Sequence, residues 1–66
     1  MSQVLTQPTR LLYTPAEAAK VLSFSRSTIY NLMAAGALPY VKHGRARRIR
    51  WTELERYASS LEPLTG

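Results

Sequence analysis

The 66-residue sequence contains no cysteine, so the chain has no thiol for a disulfide bond or for a thiolate metal site. It has a single histidine, His43, with no set of potential ligands around it at metal spacing. The sequence therefore predicts no metal and no other cofactor. Absence of cysteine fits a reducing compartment, and we expect the protein in the cytoplasm.

Long hydrophobic runs are also absent. No apolar stretch approaches the roughly 18 residues that a membrane span requires, and the first ten residues do not resemble a secretory signal. The four acidic residues are scattered, and no local motif pairs a nucleophile with a base. A core this small leaves little room for a substrate pocket, so we expect neither an enzyme nor a protein that binds small molecules.

Positive charge, by contrast, is concentrated in one segment. Residues 42–50 hold five of the nine Lys and Arg and no acid, so the other residues carry four of each sign and this segment accounts for the net charge of +5. Cations on an exposed strand can simply block aggregation. Five of them without an acid repel one another, however, which favours a polyanion as the binding partner, most often a nucleic acid.

Residues 14–17, TPAE, predict a helix start, because Thr14 can cap the helix and Glu17 lies where a capping box places its acid. The first helix is expected over residues 15–22, with Ala18, Val21 and Leu22 on its inner face.

A second helix follows after only about three residues. Ser25 is its expected cap, and Gly36 ends it near residue 35. Helical spacing groups Ile29, Leu32 and Met33 on the inner face. The remaining face lacks the usual mixture of Glu and Lys, which predicts a recognition helix with five candidate contacts: Arg26, Ser27, Thr28, Tyr30 and Asn31.

The basic segment itself is predicted to form a hairpin. Residues 40–42 and 48–51 are interpreted as two strands joined by a loop over residues 43–47, in which Gly44 can take a positive φ. Val41 and Ile49 are expected to face inward. The candidate contacts of this hairpin are Lys42, His43, Gly44, Arg45, Arg47, Arg48 and Arg50.

A third helix is expected to close the core. Residues 52–55, TELE, form a second candidate capping box. Leu54, Tyr57, Ala58 and Leu61 follow at helical spacing and should form its inner face. The predicted fold is α+β and mostly α: a small winged helix-turn-helix over residues 11–62, preceded by a flexible arm at 1–10 and followed by a short tail at 63–66.

Four segments in this order resemble excisionase-type DNA-binding domains: TPAEAAKVL, SRSTIYNLMAAGALP, GRARRIR and TELERY. These domains are in turn similar to the winged-helix DNA-binding part of MerR regulators. The resemblance covers about residues 11–61. The chain departs from the family pattern at Ser23, where the turn often has glycine, at Ala46, where a bulky residue is frequent, and at Trp51, where a polar or basic residue is common.

The resemblance implies that the second helix enters the major groove of double-stranded DNA and that the hairpin contacts the adjacent backbone or minor groove. Excisionases of this type are non-catalytic accessory proteins in bacterial host cells. They bind repeated sites, bend DNA and help an integrase to excise a phage or mobile element. Expected partners are therefore double-stranded DNA, an integrase and further copies of the chain side by side on the DNA, with no membrane.

Two other functions are compatible with the same residues. A small phage or plasmid transcriptional regulator could use the same fold, although the sequence has no heptads for a coiled-coil dimer. An interaction module could instead use the basic segment to bind an acidic protein or RNA.

Overall fold

Local capping fixes the start of the first helix. The computed structural model describes residues 10–64, and α1 spans Pro15–Leu22. The Glu17 amide donates to Thr14 Oγ1 at 3.1 Å, and the Thr14 amide donates to the Glu17 carboxylate at 2.9 Å, which confirms the capping box. The hydrogen bond from the Thr14 amide, with help from the Arg10 guanidinium, lowers the pKa of Glu17 below its ordinary value.

The turn between the first two helices is left-handed at one residue. Ser23 has φ 62° and ψ 37°, a conformation that suits glycine better than residues with a β-carbon. α2 then spans Arg26–Ala34, and the Thr28 amide donates to the Ser25 side chain at 3.1 Å. The predicted cap of the second helix is therefore confirmed.

The sheet has three strands rather than the two predicted. β1 is Leu12–Tyr13, β2 is Val41–His43 and β3 is Ala46–Arg50, antiparallel in the order β1-β3-β2. The third strand arises because the short extended segment after Leu11 pairs with β3, a long-range contact that local patterns do not reveal. The β2–β3 hairpin is called the wing below. The winged helix-turn-helix architecture is confirmed.

The wing turn is shorter than predicted, and this changes the register. Only Gly44 and Arg45 connect the strands, because His43 pairs directly with Ala46. Gly44 has φ 66° at the first turn position, as in a type II′ hairpin turn. The predicted five-residue loop was wrong. A register that differs by one residue moves side chains to the opposite face of a sheet.

Two faces of the sheet result from this register. Ile49 and Tyr13 are paired and buried, so the side facing the helices is the inner face, and Lys42 with its partner Arg47 lies on it. The prediction that Val41 shares the inward side with Ile49 is wrong, since Val41 pairs with Arg48. The outer face carries Leu12, Val41, His43, Ala46, Arg48 and Arg50.

α3 spans Trp51–Ser60 and follows β3 without a loop. The second predicted capping box does not form. The amide of Trp51 donates to the carbonyl of Leu11 at 2.9 Å, and the helix begins before Thr52 can act as its cap. Glu53 instead accepts a hydrogen bond from Arg56 Nε at 2.8 Å.

The core lies between the inner face of the sheet and the three helices. The predicted inner face of the second helix is confirmed, since Ile29 and Met33 are buried and Leu32 packs against them. The predicted inward positions of Val21, Ala58 and Leu61 are wrong, because all three are exposed. The buried set is Tyr13, Ala18, Ala19, Ile29, Met33, Leu38, Ile49 and Leu54.

The predicted arm lies outside the described residues except for Arg10, and residues 65 and 66 of the predicted tail also lie outside them. Within residues 10–64, no helix has the length and apolar character needed to cross a membrane.

Candidate nucleic-acid interface

One side of α2 is polar and faces away from the core. Arg26, Ser27, Tyr30 and Asn31 are exposed, and their i, i+4 spacing places them on adjacent turns of the helix. Thr28 is half-buried, and its hydroxyl lies 3.0 Å from the Ser25 hydroxyl. Thr28 therefore serves the helix cap, whereas the other four present their polar groups to solvent.

Arg47 joins this helix to the wing. Its guanidinium carbon lies 5.4 Å from the centre of the Tyr30 ring on α2 and 5.9 Å from the centre of the Tyr40 ring. Both distances are within the range of a cation–π interaction. A cation of the wing is therefore held against the exposed side of α2, and helix and wing form one continuous surface.

The neighbouring cations of this surface lie close to one another. Lys42 is directly opposite Arg47 on the inner face, and Arg45 is exposed at the turn beside Gly44. Like charges directly opposite each other destabilise an antiparallel pair. A bound polyanion would offset that repulsion.

The other predicted wing contacts are separated from this surface. His43, Arg48 and Arg50 lie on the outer face of the sheet. Arg48 is half-buried, and its Nη1 donates to the Arg47 carbonyl at 2.9 Å. The other nine of the twelve predicted residues lie on α2 or on the adjoining side and turn of the wing. This count includes the half-buried Thr28 of α2.

The wing cations are not neutralised within the described part of the chain. Its two ion pairs join Arg10 to Glu17 and Arg56 to Glu53, and neither includes a wing residue. The remaining acids, Glu55 and Glu62, are exposed and form no ion pair among residues 10–64. The excess charge therefore remains available to a polyanionic ligand.

Tyr40 is a further residue of this surface that the sequence analysis did not single out. It is exposed and directly precedes β2, and its distance to the Arg47 guanidinium places it on the same side of the wing as Arg47. The sequence signal that could have found it is the turn. A two-residue turn at Gly44-Arg45 pairs His43 with Ala46, and that register places Tyr40 diagonally across from Arg47.

Comparison with known proteins agrees with this architecture. Residues 12–61 match the model of a family described as "Helix-turn-helix domain", and the chain belongs to that family. A protein named "Probable excisionase" from Saccharopolyspora erythraea is 44% identical over 54 residues, which cover 82% of this chain and 55% of that protein. The chain thus spans about half the length of this curated relative. No solved structure gives a significant match.

These findings support an excisionase-like, DNA-binding helix-turn-helix domain. The similarity to the DNA-binding part of MerR regulators stays a prediction, because neither comparison tests it.

Proposed function

We propose that the chain binds double-stranded DNA with α2 in the major groove and the wing on the flanking backbone or minor groove. The observation that carries this proposal is the stacking of Arg47 on Tyr30. It places the wing cations beside the polar side of α2, so a single duplex can contact both.

The two parts of this surface have different roles in the proposal. Lys42, Arg45 and Arg47 supply most of the affinity through contacts to phosphates, which carry no sequence information. Arg26 and Asn31 on α2 have side chains suited to hydrogen-bonding guanine and adenine edges, respectively. Sequence choice therefore depends mainly on α2. Ser27, Thr28, Tyr30 and Gly44 complete the proposed surface.

The relative named as a probable excisionase supports the proposal of a role in DNA excision. We propose that the chain acts without catalysis of its own, binds several sites, bends the DNA and assists an integrase. The relative's name favours this role over that of a transcriptional regulator on the same fold.

Duplex binding is tested by a titration at several salt concentrations with a random duplex, single-stranded DNA and RNA. About four or five phosphate contacts predict a slope of log K against log salt of about −4 on the duplex. Binding to the duplex that is no tighter than binding to the other two would contradict the proposal.

The wing assignment has a matched control within the chain. Arg45→Ala should weaken duplex binding and reduce the salt slope by about 0.9, since one phosphate contact is lost. Arg56→Ala removes an equal charge from a residue that is paired with Glu53 on α3, and it should have little effect. Equal losses of duplex binding in the two variants would contradict the proposal that the wing contacts DNA.

Excision is tested with the cognate integrase and attachment sites in the presence and absence of the protein. We expect excision to increase when the protein is added and to return to the basal level with Arg26→Ala. Unchanged excision, with duplex binding intact, would reject the accessory role and favour regulation.

A further inference from the structure

An apolar groove lies away from the proposed DNA surface, at the outer face of the sheet. It has a volume of about 440 Å³ and is lined by Leu11, Leu12, Arg50, Trp51 and Thr52. Leu11 and Leu12 are 73% and 44% exposed. Neighbouring leucines at this exposure indicate a contact surface, because a small domain gains stability by burying them.

The charged residue that lines the groove is positive. Arg50 lines it, and Arg48 lies two residues away on the same face of β3. Neither forms an ion pair within residues 10–64. The fitting ligand is therefore an extended segment that combines apolar side chains with a carboxylate.

The chain itself carries such a segment directly after α3. Leu61 and Leu64 are 51% and 100% exposed and flank Glu62 and Pro63. Leu61 has extended backbone angles, φ −79° and ψ 132°. Pro63 favours an extended conformation at Glu62 as well. This acidic segment, residues 61–64, matches the groove in both charge and apolar character.

The groove and the acidic segment lie at opposite ends of α3. Trp51 and Thr52 are its first residues, and a helix of 10 residues is about 15 Å long. Glu62 lies two residues beyond the helix and can reach back by only about 7 Å. Leu64 is 100% exposed, so the acidic segment does not occupy the groove of its own molecule in this structure and is available to that of a neighbour.

We infer that the groove binds the acidic segment of a second copy of this chain, with Glu62 of one copy beside Arg50 of the other. The two contacting surfaces differ, so the contact is head-to-tail and can continue from copy to copy. The interface is small, and stable interfaces bury at least about 1,000 Å², so the contact is weak in free solution. Adjacent copies on one duplex would raise its effective concentration, a consequence that rests on the proposed function.

Trp51 allows a direct test, because it is the only tryptophan and it lines the groove. A peptide of residues 58–66, which contains no aromatic residue, is titrated into the full chain while Trp51 fluorescence and amide chemical shifts are followed. We expect a saturable change, with shifts at Leu12, Arg50 and Trp51. A peptide with Leu61→Ser and Leu64→Ser should produce none.

Charge exchange tests the pairing of Arg50 with Glu62. A peptide with Glu62→Arg should bind the unaltered chain about two- to fivefold more weakly, as expected for an exposed ion pair. It should regain affinity for an Arg50→Glu chain. Lys20→Glu in the full chain is the matched control for Arg50→Glu, since Lys20 is exposed on α1 and does not line the groove, and it should leave the binding of both peptides unchanged.

Three results would overturn the inference: no saturable change with the unaltered peptide, the same change with the double-serine peptide, or no recovery in the charge exchange. None of these measurements contains DNA. Their failure would leave duplex binding untouched, and failure of duplex binding would leave the peptide result standing.

Discussion

The two faces of the sheet each carry two cations on their strands but differ in what surrounds them. On the inner face, Lys42 and Arg47 lie beside buried Ile49, and Arg47 contacts α2. On the outer face, Arg48 and Arg50 lie among exposed and half-buried side chains and contact no helix residue by cation–π interaction within residues 10–64. Strand register, rather than charge density along the sequence, thus decides which cations can share a ligand with α2.

The largest expected effect is a difference in unfolding free energy between a substitution on the inner face and one on the outer face. Ile49→Ala should lower the free energy of unfolding by about 2–5 kcal/mol, because the side chain is fully buried. Val41→Ala, on the outer face, should cost about 1 kcal/mol or less. Denaturation followed by circular dichroism measures both. Similar losses would contradict the observed register.

A smaller effect is expected at Tyr40. Its ring contacts Arg47, a cation of the inner face, and no cation of the outer face within residues 10–64. Tyr40→Ala should weaken duplex binding about two- to fivefold, since Arg47 loses one of its aromatic contacts. Tyr40→Phe keeps the ring and should bind like the unaltered chain. Fluorescence anisotropy with a labelled duplex measures both variants, and a loss in Tyr40→Phe equal to that in Tyr40→Ala would show that the hydroxyl matters instead.

The turn that joins α1 to α2 offers a gain in stability. Ser23→Gly should raise the free energy of unfolding by about 0.5–1 kcal/mol, because glycine adopts the positive φ without steric cost. Ser59→Gly, on the exposed side of α3, should lower it by about as much. Thermal melts of the two variants should therefore shift in opposite directions. A loss of stability in Ser23→Gly would contradict the left-handed turn.

The smallest expected effect is on the stability of the fold at acidic pH. Because the pKa of Glu17 is lowered in the folded chain, its contribution to stability is present above the ordinary value of 4.5 and is lost as the pH falls through the lower, folded value. Glu17→Gln keeps a capping side chain but removes this titration. Melting temperatures measured down to acidic pH should show a shallower decline in the variant. Identical declines in the melting temperature would show that Glu17 is not the source of the acid sensitivity.

Features set by neighbouring residues were predictable from the sequence. Thr14 and Glu17 cap α1 and Ser25 caps α2, as expected, because these hydrogen bonds span only three residues. The polar side of α2 also followed from helical spacing alone. At TELE the same local signal failed, since the contact of Trp51 with Leu11 determines where α3 begins.

Features set by distant residues were not predictable. β1 pairs with β3 across most of the chain, and no local pattern indicates that contact. The face of each wing cation depends on a turn that is three residues shorter than predicted. Leu38 was unexpected in the core because it lies beyond Gly36, outside any periodic segment.

The central claim is that the inner-face cations contact DNA together with α2. Two double variants remove the same charge: Lys42→Gln with Arg47→Gln on the inner face, and Arg48→Gln with Arg50→Gln on the outer face. The salt dependence of duplex binding compares them. We predict that the inner pair lowers the magnitude of the slope by about 1.8 and that the outer pair changes it by less than about 0.5. Equal changes, or a larger change from the outer pair, would contradict the account.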